Sequence, residues 1–274
     1  MVRRGGCLVL VVIGVLGTGL FITWIAENRL IQSRVYCENH LRQLGQFAGY
    51  DQTLLAPKMP NVKLPPIRTA VPAGTIPNAE LPPDRRLSWV VDALPTLNQK
   101  RQDTANLATS ISRTLAWDVE PNRVPSRTVV VNLLCPGNPP PSNPEAPAVT
   151  QYIGMAGINP DAALLDLGPP VPVRAGCFRY DSLTPFSRIT DGLSQTILFA
   201  ETNRELGPWI RGGPATVRGF DVGVPGQFDG NHPGGANFGF VDGSVRFLTN
   251  TISSDVLQRM VTIASGDDLL ADER

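Results

Sequence analysis

Residues 7–26 read CLVLVVIGVLGTGLFITWIA, a run without a single charge. A helix rises about 1.5 Å per residue, so such a run reaches about 30 Å, the thickness of a bilayer's hydrocarbon core. Arg3 and Arg4 precede it, Glu27 and Arg29 follow, and Trp24 sits where an interfacial aromatic would. A cleaved signal peptide has a shorter apolar core and small residues at the cut, whereas Trp24 and Ile25 are bulky. The run therefore reads as an uncleaved, single-pass transmembrane helix. Its N-terminus would be cytoplasmic, the C-terminal domain extracytoplasmic, and membrane lipid a partner through residues 7–26.

The helical pattern continues beyond it. Leu30, Cys37, Leu41, Leu44 and Ala48 form one apolar stripe, with Gln32, Ser33, Arg34, Glu38, Asn39, Arg42 and Gln43 on the other side. No proline interrupts Met1 to Leu55, so a single helix from about Leu8 to Phe47 is expected. The chain divides into a cytoplasmic N-terminus (1–6), a membrane helix (7–26), its continuation (27–50), a proline-rich wrap (51–86) and an α+β domain (87–274).

Glycine and proline number 26 each, which favours short elements and long loops in that domain. Helical spacing marks 85–99 and 98–117. The β-branched run RTVVVNLLCPG (127–137) predicts a buried strand stopped by Pro136, and shorter strands are expected at 150–157, 175–181 and 195–201. FGFVDGSVRFL (238–248) predicts a hairpin with a type I′ turn at Asp242-Gly243. Residues 253–265 predict a final amphipathic helix capped by Ser253 or Ser254. The expected fold is α+β: a long N-terminal transmembrane spine helix packed on an antiparallel sheet with short helices.

Lys+Arg and Asp+Glu balance at 24 each, which argues against nucleic acid as a partner. No G-x-S-x-G elbow, phosphate loop or dinucleotide fingerprint occurs, so neither an enzyme nor a cofactor is expected. Of the two histidines, His40 lies among polar neighbours and reads as solvated. His232 is the candidate for a structural hydrogen bond or a binding role. One such histidine without a Cys-x-x-Cys pair does not make a metal set, although a loop calcium at Asp229 is a weak possibility. A Cys37–Cys135 disulfide would tie the spine helix to the sheet; buried free thiols are the alternative, and Cys177 reads as a small core residue. Trp209, Arg211 and Phe220 offer stacking and hydrogen-bonding groups for a ligand, or are simply core and rim residues.

Several stretches together resemble a bacterial family, the prepilin-like proteins of unknown function carrying an H-X9-DG motif and once labelled solute-binding. His232, nine residues and Asp242-Gly243 fit that spacing, within NHPGGANFGFVDGSVRFL. ITDGLSQTILFAET, CENHLRQLGQFAGYDQ, LSWVVDALPTLNQ and LLCPGN resemble its other blocks, in order. The resemblance adds Asp191, Gly192, Gly234, Gly235 and Asn237 to the motif residues. It implies a membrane-anchored, surface-exposed pilin-like or pseudopilin-like structural protein, whose partners would be homologous subunits or secretion machinery. The chain departs from a prepilin leader in having Cys7 where Phe is expected and Val11 where the assembly glutamate would stand. An extracytoplasmic binding module for a glycan, small solute or calcium is the alternative.

Overall fold

A computed structural model describes residues 29–49, 69–97, 103–141, 143–224, 227–228 and 230–266. Its centre is a five-stranded sheet in the order β5-β2-β4-β6-β7, formed by β2 (Tyr152–Ile158), β4 (Ile197–Glu201), β5 (Val217–Phe220), β6 (Gly235–Phe240) and β7 (Val245–Thr249). The sheet is mixed and not purely antiparallel, because β5 runs parallel to β2. A two-stranded ladder of β1 (Ala70–Val71) and β3 (Thr184–Pro185) lies outside it.

Both sheet faces are covered, which is why β2, β4, β5 and β6 are buried at every position instead of alternating. On one face lies helix α1 (29–48) with the short helix α2 (Val90–Ala93). Cys37, Leu41, Leu44, Phe47 and Ala48 of α1 join Trp89, Val90 and Leu94 in the larger core. Trp89 is its hub, with ring centroids 6.0 Å from Phe47, 5.6 Å from Phe178 and 5.0 Å from Phe199. The other face packs Ile153, Met155, Ile197, Phe238 and Phe240 against Leu257 and Val261 of α4 (Ser254–Val261). Ser253 caps α4 by accepting from the Val256 amide, as expected.

The α+β class is retained, but the transmembrane spine is corrected. Among the described residues no helix is long and apolar enough to cross a membrane. Helix α1 carries Arg29, Arg34, Glu38 and Arg42, and its apolar stripe is spent on the sheet. Residues 7–26, to which the span was assigned, lie outside the described residues, and a single-pass topology with a cytoplasmic N-terminus is not supported.

Local expectations shift as well. The run 127–137 is not a strand but two 3-10 turns, Pro125–Arg127 and Val131–Leu133, with Val129 and Val131 exposed. Segment 175–181 makes one isolated bridge, Gly157 with Ala175, and no strand. The helix expected over 98–117 is the six-residue α3 (Thr104–Thr109), capped by Asp103. The hairpin is present, but its loop holds four residues, 241–244. Only Gly243 has positive φ, so the turn is not type I′.

Candidate functional site

Four segments far apart in sequence meet where α1 crosses the sheet. Cys37 comes from the middle of α1, Cys135 from the turn after the 3-10 helix Val131–Leu133, Glu201 from the last position of β4, and His232 from the loop before β6. All four are buried, and one potential ligand atom of each lies within 4.8 Å of the others. His232 Nε2 is 3.2 Å from Glu201 Oε1 and 3.8 Å from Cys135 Sγ. The Cys37 and Cys135 sulfurs also lie within 4.8 Å of each other.

A ring of amides holds this cluster in place. The Asn231 side chain donates to Glu201 Oε1 at 3.1 Å, and Asn237 donates to Oε2 from its backbone N–H (3.2 Å) and its side chain (2.9 Å). Gln151 accepts from the Cys135 amide at 2.6 Å and donates to Asn231 Oδ1 at 2.8 Å. Asn132 donates to Gln43 of α1 at 2.6 Å. His232 Nδ1 is buried without a hydrogen-bond partner. Gly137 follows Cys135-Pro136 and presses on α1: a Cβ there would lie 2.6 Å from the Ser33 Cβ.

The electrostatics follow from burial and contact. Cys37 is pushed far up, first by its hydrogen bond to Cys135 and then by burial. Cys135 is drawn down to about 5, first by that same bond, with His232 helping against burial. Burial opposes charge on His232, but its bonds to Cys135 and Glu201 outweigh this and raise it to about 9. Burial likewise resists ionisation of Glu201, yet His232, Asn231 and the Asn237 amide hold it below the usual carboxylate range. The site therefore gathers two sulfurs, an imidazole and a carboxylate, the donor types that suit a zinc-class ion.

The chain has a sequence-level counterpart for this domain. A family described as a protein of unknown function (DUF1559) matches residues 63–221 and 207–255. The chain belongs to that family. Cys135, Glu201 and His232 fall inside the DUF1559 match, and Cys37 precedes it. Searches of the curated proteins and of the solved structures give no match.

The remaining candidates separate within this DUF1559 domain. Cys37, Cys135, His232 and Asn237 come together, but the two cysteines are free thiols. Both ends of the H-X9-DG stretch touch α1. His232 meets Cys37 in the cluster, and Gly243 approaches Gly45, where an added Cβ would sit 3.5 Å from the Gly243 Cα. Asp242 closes its own turn, accepting from the Ser244 amide (2.9 Å) and hydroxyl (2.6 Å). Gly234 has φ of +83°, and a Cβ on Gly235 would lie 2.2 Å from the Leu248 carbonyl oxygen. Asp191 sits elsewhere, accepting from Ser265 and Gly266 after α4, and Gly192 begins the turn into β4 with φ of +101°.

Trp209, Arg211 and Phe220 do not form one site. Trp209 is fully buried, its indole donating to the Thr128 carbonyl at 2.9 Å. Arg211 pairs with Asp84 at 3.4 Å, and Phe220 belongs to the opposite core, stacked on Phe228. Asp229 lies outside the described residues. His40 is not solvated: it is buried beside Tyr152, whose hydroxyl is 3.5 Å from its Nδ1, and burial lowers its pKa. Glu201 escaped the sequence reading. Its signal is a carboxylate that continues the apolar strand run ILFAE without a turn residue between.

Proposed function

We propose that this chain is a non-catalytic interaction subunit that assembles with homologous, pilin-like subunits through the outer face of helix α1. The observation that carries this reading is an apolar patch on a helix whose other side is already committed to the core. Ile31, Val35 and Tyr36 are 63%, 49% and 57% exposed. At 100° per residue, Ile31 and Val35 lie opposite Cys37 and Leu44. Exposed Ile31, Val35 and Tyr36 on a solvent-facing helix are the kind of patch that marks a protein contact.

The test is crosslinking and native mass spectrometry of the full chain, with Ile31→Lys and Val35→Lys in comparison. Self-association or co-purification of a homologous subunit that both variants abolish supports the reading. A wild-type chain that stays monomeric and unpartnered counts against it.

A binding module is the second reading. It is favoured by a cavity of about 320 Å³ lined by Phe220, Phe228, Phe238, Leu248 and Leu257. A small apolar solute seated there would raise the melting temperature, and the rise would grow with the logarithm of its concentration above Kd.

A further inference from the structure

We propose that Cys37, Cys135, His232 and Glu201 are the four ligands of a structural zinc-class metal ion that fastens helix α1 to the sheet. This inference is independent of the assembly reading.

Geometry is the first support. Zinc binds thiolate at about 2.3 Å and imidazole or carboxylate at about 2.0 Å, so tetrahedral ligand atoms sit roughly 3.2–3.8 Å from one another. The His232–Glu201 and His232–Cys135 separations are 3.2 Å and 3.8 Å. All four potential ligand atoms lie within 4.8 Å of each other, so closure onto an ion needs only small side-chain movements.

Chemistry is the second. Two cysteines with a histidine and a carboxylate are ligands that a borderline-soft d¹⁰ ion accepts. A four-protein-ligand set leaves no open position for substrate, which assigns a structural role and not a catalytic one. Binding would leave both thiols deprotonated and His232 Nε2 without its proton, with the protons released to solvent, and two thiolates with one carboxylate would then more than balance the charge of the divalent ion. Nothing is oxidised or reduced.

The surroundings are the third. Ligating carboxylates are oriented by hydrogen bonds from outside the coordination shell, and Asn231 and Asn237 supply them to Glu201. Gln151 fixes the Cys135 backbone. A disulfide between Cys37 and Cys135 is the competing chemistry. It would use two of the four groups and leave the buried His232–Glu201 pair without a role. The two outcomes exclude each other, because disulfide sulfurs are no longer thiolate ligands.

The experiment uses the full chain, reduced, stripped of metal and shown by circular dichroism to be folded. Cobalt(II) is titrated as a spectroscopic stand-in, then displaced by zinc. One equivalent giving tetrahedral d–d bands and a thiolate-to-cobalt charge-transfer band is expected. Cys37→Ser and Cys135→Ser each weaken that charge-transfer band. His232→Ala lowers affinity by more than the roughly 10–100-fold that loss of an outer-shell group costs. Cys177→Ala changes nothing. Glu201→Gln keeps the shape of the site, so its loss of affinity decides the matter should a cysteine variant fail to fold. A folded, reduced wild type that takes up neither metal overturns the proposal. So does binding that survives in a folded Cys37→Ser/Cys135→Ser double variant. Native protein two hydrogens lighter, with Cys37 joined to Cys135 even when purified with zinc, also overturns it.

Discussion

His232 Nε2 and Glu201 Oε1 lie 3.2 Å apart, with both side chains almost entirely removed from solvent. A lone charge at such depth is costly, and each of these groups makes the other's ionised form tolerable. The pair joins the end of β4 to the loop that leads into β6, on the side of the sheet that α1 covers.

Glu201→Ala is expected to destabilise the metal-free protein by about 3–5 kcal/mol, the range found when one member of a buried ion pair is removed. Glu201→Gln should cost clearly less, because its amide oxygen still accepts from Asn231 or Asn237. Urea unfolding of the two variants beside wild type checks the order. Equal losses would mean that the pair contributes charge and not shape.

Cys177 should resist alkylation at pH 8.5 in the folded protein and react only after unfolding. Burial pushes its thiol up to about 12, and thiolate is the reactive form. Iodoacetamide labelling read by peptide mass spectrometry measures this. Labelling of Cys177 at the rate of a free thiol would show that the core opens there.

Gly49→Ala is expected to lower stability by about 1–3 kcal/mol, as overpacking does. Its new Cβ would lie 2.6 Å from Leu198 Cδ2 and 2.7 Å from the Val241 carbonyl oxygen, and the second of these is backbone and cannot turn aside. A melting temperature equal to wild type would show that the hairpin loop slides freely along α1.

Asp191→Ala removes the acceptor of the Ser265 and Gly266 amides and of the Ser265 hydroxyl. Stranding such donors costs about 1–3 kcal/mol. Faster amide exchange in 263–266, with cobalt binding unchanged, is the expected signature. A change in the cobalt spectrum would mean that the C-terminal segment and the cluster are coupled.

What could be read from sequence depended on how local the cause was. The Ser253 cap, the hairpin and β4 follow from residues a few positions apart, and they appear where expected. The 127–137 run failed because β-branched residues state a preference that tertiary context overrides. Pro125 begins one 3-10 turn, and Val131 faces solvent where a buried strand was expected. His40 was misjudged because its sequence neighbours are polar, whereas its spatial neighbour is Tyr152 of β2. Cys37 and Cys135 were paired as a candidate disulfide, and His232 drew attention on its own. Their meeting, and Glu201's place among them, depends on strand order, which no local pattern encodes.

The cluster also imposes an order of events on folding. Cys37 and His232 stand near opposite ends of the described chain, and closing so long a loop carries an entropic cost before any contact repays it. The residues that pin α1 to the sheet can therefore meet only after β4 has been made and the loop before β6 has arrived. A chain cut short before residue 232 would leave α1 without this fastening. The cluster in effect registers that synthesis has gone far enough for the two ends of the fold to find each other.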